Sequence, residues 1–444
     1  MKRPVGPHDD VRGAVGAQLE HLVRGSGPGL ERFALDALAG PACPVLDFAA
    51  SGAMWLTGDA DGPPVAPEAP VMAQLRVVCA AIALLGERVG RPVTVDPYRA
   101  VTGRAGDRGF RRNGSTSANG SCRLVRAEDG WVALNLPRPS DFELLPAVLG
   151  GPIWGDPWAA VGEAARGRPG AELVERAQLV GIAAGVLAGL GRGREAVPFR
   201  VVPLGPSASR RRGEPIVVVD FSALWAGPLC AHLLGAAGAT VVKVEDPDRP
   251  DGARVGDPHL FRLLHAGHRV VHVPFSTDQG ARRIRRLVET ADVVVESSRP
   301  RALARLGLSP ETFLGERPGR TWVSITGYGR SGPRADYVAF GDDAAVSGGL
   351  VGWSERGPVF CADAIADPVA GLFAALGGLC SVAVGGGLLV DVSMSGASAF
   401  VQDGPPCRGP HEVQREASGD WFAWHGRRRQ LVVAPLGRPA SAPT

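Results

Sequence analysis

Among the side chains able to do covalent chemistry, Asp367 has the most telling surroundings: IADPVAGLFAALGG, an acid, then proline, then a small apolar run. Such a string starts a helix, with the acid capping the first turn and proline pre-shaped for its first position. Capping alone would account for the residue. The same placement also has a chemical consequence, because a carboxylate among the free N–H groups of a helix start is favoured in its ionised form. A fixed, ionised carboxylate can attack a thioester carbonyl and form a mixed anhydride. Spacing does not choose between cap and nucleophile.

Other candidates are weaker. Asp342 and Asp343, in FGDDAAVSGG, are adjacent carboxylates that read as a solvated loop, with assistance to a neighbouring acid as the alternative. Seven cysteines are dispersed, without CxxC or a metal-like Cys/His spacing, so no metal site is expected and the thiols read as reduced and buried. That usage points to the cytoplasm. The formal net charge of +3 is too small, and the arginines too scattered, for nucleic acid to be a partner. No apolar run approaches membrane-spanning length, and MKRPVGPHDD has no apolar stretch for a signal peptide.

The elements that would position these groups are clearest from Ile216 onward. IVVVD, TVVKV (240–244), HRVVHVPF (268–275), ADVVVESS and TWVSITGYG are five strand-like runs separated by helical stretches. Continuous apolar strands alternating with helices predict an α/β fold with a doubly wound, Rossmann-like parallel sheet. Earlier, RLVRAEDGWVALNL reads as a hairpin turning at Asp129-Gly130, followed by amphipathic helices. This predicts a smaller α+β domain. The expected division is an N-terminal segment (1–41), a degenerate partial repeat (42–109), the small domain (110–201), a Pro/Gly-rich linker (202–215), the core (216–403) and a partly extended tail (404–444).

The repeat is read from small residues in a fixed order. Ser51-Gly52, Gly62-Pro63, Ala80-Ala81 and Val95-Asp96 recur as Ser347-Gly348, Gly357-Pro358, Ala374-Ala375 and Val390-Asp391. APVMAQLRVVCAAIALLG then aligns with DAIADPVAGLFAALGG, and Ala73 stands opposite Asp367. Only the second copy has an acid there.

From Ile216 to about Phe400 the chain resembles the family III (CaiB/BaiF) CoA-transferases, which include formyl-CoA:oxalate and carnitine CoA-transferases. The resemblance rests on VVVDFSALWAGPLCAHLLGAAGATVVKVEDP, ADVVVESSRPRALARLGL, SITGYGRSGP, IADPVAGLFAALGG and GGGLLVDVSM, in family order. NGSTSANGSCRLVRAEDGWVALNL is similar to the family's small domain, which normally follows the catalytic segment. The chain thus looks like the latter half of one copy joined to the first half of another, with residues 42–200 completing the fold that 214–403 begin.

The resemblance implies that Asp367 accepts the acyl group of an acyl-CoA as an anhydride and that a carboxylic acid acceptor collects CoA. It implies CoA contacts at Trp225 and Ala226, at Val273 and Pro274, at Ser297 and Ser298, and at Arg305, whose guanidinium fork suits phosphate. It also implies a homodimer, with neither metal nor nicotinamide. Two departures bear on substrate identity. Ser297-Ser298 replaces the family's Asn-Phe, and its glycine-rich covering loop has only Gly114–Gly120 as a candidate.

Three competing readings remain. A catalytically degenerate CoA-binding paralogue or partner subunit would explain Ala73. A 2-methylacyl-CoA racemase needs a histidine near Phe340–Asp343, where none occurs. A nicotinamide dehydrogenase could use Glu245 at the ribose, but the first turn, SALWAGPL, lacks G-x-G-x-x-G.

Overall fold

The computed structural model describes residues 43–189, 196–403 and 409–437, so the expected N-terminal segment lies outside the described residues. The chain begins with three helices, α1 (Pro44–Ala50), α2 (Val71–Val89) and α3 (Pro97–Arg108). Asp96 caps α3 by accepting the Tyr98 and Arg99 N–H groups, with Pro97 at the first helical position. A small α+β unit follows. Strands β1 (Cys122–Arg126) and β2 (Trp131–Asn135) pair antiparallel across the Asp129-Gly130 turn, and β3 (Ala183–Val186) joins β2. Helices α4 (Pro139–Leu149), α5 (Pro157–Arg166) and α6 (Gly170–Leu179) bury Leu145, Val148, Val161 and Leu173 against this sheet.

The second half is built on a seven-stranded sheet. Its strands are β4 (Phe199–Pro203), β5 (Val217–Asp220), β6 (Thr240–Glu245), β7 (Arg269–His272), β8 (Val293–Glu296), β9 (Thr321–Thr326) and β12 (Leu388–Ser393), in the order β4-β12-β9-β8-β5-β6-β7. All neighbours are parallel except β4, which lies antiparallel on β12. The valines of β8 have no exposed surface, as a sheet covered on both faces requires. From β5 the chain runs outward through β6 and β7, then returns to the other side of β5 at β8. That reversal opens a crevice at the carboxyl ends of the strands.

The crossovers carry α7 (Ala226–Ala236), α8 (Ala253–Gly256), α9 (Pro258–Leu264), α10 (Asp278–Thr290), α11 (Pro300–Ala304) and α12 (Pro310–Glu316). Between β9 and β12 come α13 (Gly341–Ser347), the hairpin of β10 (Val351–Ser354) and β11 (Gly357–Phe360), and α14 (Ala366–Ala383). Helix α15 (Met394–Gln402) follows β12.

Helix α14 is the centre of the molecule, packed against α7 on one side and α2 on another. Leu372, Phe373 and Leu376 are fully buried, each contributing about 1.5–3 kcal/mol by leaving water. Close approach to α7 requires glycine at 371, where a Cβ would lie 2.7 Å from the Ala226 carbonyl oxygen. At 18 residues α14 is long and apolar enough to cross a membrane, contrary to the expectation that no run reaches that length. Its apolarity is that of a core helix, 83% buried in this fold.

Two boundaries differ from expectation. Strand β4 straddles the small-domain and linker boundary at 201–202, because its backbone completes the edge of the large sheet beside β12. The tail, expected to be partly extended, folds into a three-stranded antiparallel sheet of β13 (His411–Arg415), β14 (Trp421–His425) and β15 (Arg428–Leu431). This sheet packs on α1, and the Val433 N–H donates to the Ala49 carbonyl at 3.0 Å. Of the two segments read as a repeat, 51–96 holds the Gly58–Pro64 bridge and α2, and 347–391 holds the β10–β11 hairpin and α14; Val390-Asp391 then lie in strand β12, whereas Val95-Asp96 lie in no strand. Among the described cysteines, Cys79, Cys122, Cys230 and Cys361 are buried free thiols and Cys380 is a partly buried one.

Candidate active site

Strand ends build the floor of the site. At the end of β8, buried Glu296 accepts from Trp322 Nε1 at 3.0 Å and from Ser298 Oγ at 3.2 Å, and pairs with Arg330. Ser297 Oγ accepts the Ala223 N–H at 3.1 Å, tying this end to the turn after β5. In that turn Asp220 accepts the Ser222 N–H and hydroxyl, while buried Lys243 donates to the Ser222 carbonyl and pairs with Asp251 at 3.3 Å. Asp251 also accepts the Leu224 N–H at 3.0 Å, holding Leu224 at a left-handed φ of 70°. The result is a rigid rim ahead of α7.

Asp367 enters from above as the second residue of α14. The helix begins at Ala366, after Ile365, and no side chain caps it, so the carboxylate is not the cap its sequence suggests. It faces a cleft of about 260 Å³ shared with Ala226, Ser297, Ser298, Thr326 and Tyr337. Gly341 makes room for it: a Cβ there would lie 2.5 Å from Asp367 Oδ2. The preceding loop is strained, with Ala362 and Ala364 at φ 55° and 44°. Such conformations cost about 1–3 kcal/mol each and concentrate at functional sites. Two hydrogen bonds hold them. The Ala362 N–H donates to Thr57 Oγ1 at 2.9 Å, and the Ala364 N–H donates to Asp342 Oδ1 at 3.0 Å.

Behind the cleft lies a group of acids that the sequence disguised. Asp342 and Asp343 are buried, not solvated, because they occupy the first turn of α13 beneath the small α+β unit. Asn119, in the Gly114–Gly120 turn, donates to Asp342 at 3.2 Å; Asn135 donates to Asp343 at 3.1 Å. Asp363 accepts Arg104 Nη1 on both oxygens, at 2.9 and 3.0 Å. Arg104 comes from α3 of the first repeat, also reaches Asp257 at 3.3 Å, and lies over the rings of Trp225 and Phe110.

Burial pushes the Asp367 carboxyl up to about 7; the Arg104 guanidinium pulls it down, and Asp342, Asp343 and Asp363 push it further up. Burial likewise pushes Asp343 and Asp363 up to about 7. The expectation of a firmly ionised acid is therefore corrected. Asp367 sits near its midpoint at neutral pH, because desolvation outweighs the single cation nearby.

The structure brings Asp367, Ala226, Ser297 and Ser298 to one cleft. Trp225 is buried beside Arg104 and opens on a neighbouring cleft with Asp257 and Leu260. Val273 is fully buried under the sheet, Pro274 starts the turn before α10, and Arg305 is exposed after α11; none of these three lines the Asp367 cleft. Sequence reasoning missed Arg104, Asn119 and Asn135, whose relevance comes only from the docking of the first half onto the second.

Part of the chain is similar to known proteins. Residues 214–420 match the model of CoA-transferase family III. The chain is 31% identical over 195 residues to the succinyl-CoA–D-citramalate CoA-transferase of Chloroflexus aurantiacus, covering 41% of this chain and 48% of that one. It is 31% identical over 176 residues to the succinate–glutarate CoA-transferase of Agrobacterium fabrum, covering 36% and 44%. It is 28% identical over 196 residues to the formyl-CoA:oxalate CoA-transferase of Escherichia coli O6:H1, covering 41% and 47%. A CaiB/BaiF family protein from Brucella suis aligns in structure with a TM-score of 0.42 at 26% identity, over 47% of this chain and 64% of that one. The chain spans about half the length of the curated relatives it matches. Residues 214–420 are thus similar to CoA-transferase family III.

Proposed function

We propose that the protein moves CoA from an acyl-CoA thioester to a carboxylic acid acceptor, with Asp367 as the nucleophile. The observation that carries this is the position of the Asp367 carboxylate in a cleft with Ala226, Ser297 and Ser298, at the carboxyl ends of parallel strands. The ionised carboxylate attacks the thioester carbonyl, the C–S bond breaks, and CoA leaves as thiolate from a mixed anhydride. For CoA to end on the acceptor, the thiolate adds to the Asp367 carbonyl and expels the first acid. The acceptor carboxylate then displaces CoA from Asp367 to make a second anhydride. Attack by thiolate on the acceptor's carbonyl closes the cycle and frees Asp367.

On this reading the large sheet is a Rossmann-like scaffold, and the chain combines the latter half of one family copy with the first half of another. We take the enzyme to be a cytoplasmic homodimer. Incubation with a panel of acyl-CoAs followed by hydroxylamine tests the chemistry: a hydroxamate at Asp367 is expected, absent in Asp367→Ala, and labelling elsewhere or nowhere sinks the assignment. Light-scattering mass measurement tests the dimer.

A second reading has its own support. An alignment that covers only about half of each relative, with an acid near its titration midpoint, fits a CoA-binding paralogue or a partner subunit. Acyl-CoA binding by calorimetry with no hydroxamate across pH 6–9, a range spanning roughly one to two units on either side of the shifted acid, would favour it.

A further inference from the structure

A second cluster of reactive groups lies where the tail sheet packs on α1. Cys43 Sγ and one imidazole nitrogen from each of His411 and His425 all lie within 4.8 Å of one another. Cys43 Sγ is 3.2 Å from His411 Nε2, and the two imidazoles stack with centroids 4.6 Å apart. The fold explains the meeting. His411 opens β13 and His425 closes β14, directly opposite each other in the antiparallel register, so both rings stand on one face. Cys43, 1% exposed, immediately precedes α1, on which this sheet rests. Sequence spacing conceals the set, since Cys43 and His411 are 368 residues apart.

We propose that Cys43, His411 and His425 bind a zinc ion that fastens the tail sheet to the start of the first repeat. One thiolate and two imidazoles are a donor set that favours zinc over magnesium or calcium, which take oxygen ligands. Zinc–sulfur and zinc–nitrogen bonds of about 2.3 and 2.0–2.1 Å make a tetrahedron with edges of about 3.3–3.6 Å. The three donors need only a small inward adjustment to reach it. Water or a further donor takes the fourth position. Both histidines are half-buried, so the ion reaches them from the solvent side. On binding, the Cys43 proton is released to solvent, and binding free energy becomes free energy of folding.

The test uses the full chain and zinc or cobalt alone. Protein purified from zinc-supplemented medium is expected to carry one equivalent of zinc by mass spectrometry of the metal. Cobalt titration is expected to give thiolate-to-metal charge transfer and tetrahedral ligand-field bands. Cys43→Ser abolishes the charge-transfer band, and His411→Gln and His425→Gln each weaken cobalt by more than about 100-fold, beyond the effect of altering an outer-shell partner. Cys380→Ser, at a half-exposed thiol, changes neither. Hydroxylamine trapping at Asp367 survives in all four variants, which separates this site from the transferase reading. Should Cys43→Ser fail to fold, the wild type decides: chelation must lower its melting temperature and added zinc restore it. Substoichiometric zinc, a cobalt spectrum without thiolate character, or a melt indifferent to chelator leaves only a hydrogen-bonded Cys–His packing contact and overturns the proposal.

Discussion

The two repeat segments bury acids in different company. In the first, Asp47 on α1 is fully buried, and Arg76 reaches it at 2.6 Å while the Tyr98 hydroxyl donates at 2.5 Å. One acid meets one cation, and at the place equivalent to Asp367 stands Ala73, 8% exposed. In the second, Asp342, Asp343, Asp363 and Asp367 crowd together, and the guanidinium that reaches them, Arg104, belongs to the first segment. A buried acid matched by its own cation is a structural tie. A surplus of buried acid around a borrowed cation leaves carboxyls that change protonation near neutral pH, the property a reacting group needs. The proposed chemistry thus falls among the crowded acids, and the matched pair of Asp47 and Arg76 is a support.

The sharpest way to break this contrast is to exchange its central residues. Asp367→Ala is expected to lower transferase turnover by at least about 10⁴-fold, measured as CoA transfer by chromatography. Ala73→Asp is expected to gain no hydroxamate and to lose about 1–3 kcal/mol in urea unfolding, because it buries a polar group without a partner. A labelled Asp at position 73 would erase the distinction.

Removing the shared cation comes next. Arg104→Gln leaves Asp363 without its bidentate partner, an expected loss of about 3–5 kcal/mol. It also moves the pH midpoint of turnover upward, since the charge that favours ionised Asp367 is gone; Arg104→Lys restores part of that shift. An unmoved midpoint would mean Arg104 is a packing residue only. Asp47→Asn orphans Arg76 at a comparable cost in stability, yet hydroxamate formation by the folded variant is expected to match wild type.

The wild type's own pH response completes the comparison, and its two halves oppose each other. On the proposed reading, turnover is expected to rise with pH through about 7 as Asp367 ionises. Stability moves the other way. Asp343, Asp363 and Asp367 have folded values raised to about 7 above an ordinary 3.8, so between these limits the folded state holds more protons than the unfolded one. Unfolding free energy from these groups therefore falls as pH rises from about 4 to 7. Denaturant titrations across that window check the sign.

The sheet was legible because β5, β6, β8 and β9 are nearly continuous valine, isoleucine and threonine runs, and the hairpin because Asp129-Gly130 punctuates it. That Asp367 and the Ser297-Ser298 pair share one cleft was legible through motif order. Asp342 and Asp343 were misread because adjacent acids normally stay in water; here Asn119 and Asn135 cover them, and nothing local announces a cover contributed from more than 200 residues away. Arg104 carries no local signature, since its partners Asp257 and Asp363 lie 153 and 259 residues further along the chain. Strand β4 was hidden because it is short and bracketed by Pro198 and Pro203, and as an edge strand it pairs on one side only, leaving its residues after Phe199 exposed.

The left-handed pair Ala362 and Ala364 ties these observations together. One is pinned by a hydroxyl from the first segment, Thr57, and the other by an acid of the second, Asp342. The bend that presents Asp367 is thus a clasp with one hook on each half of the molecule. Separating the halves would remove one of the two hydrogen bonds that hold the bend, so the proposed nucleophile depends on both halves being seated.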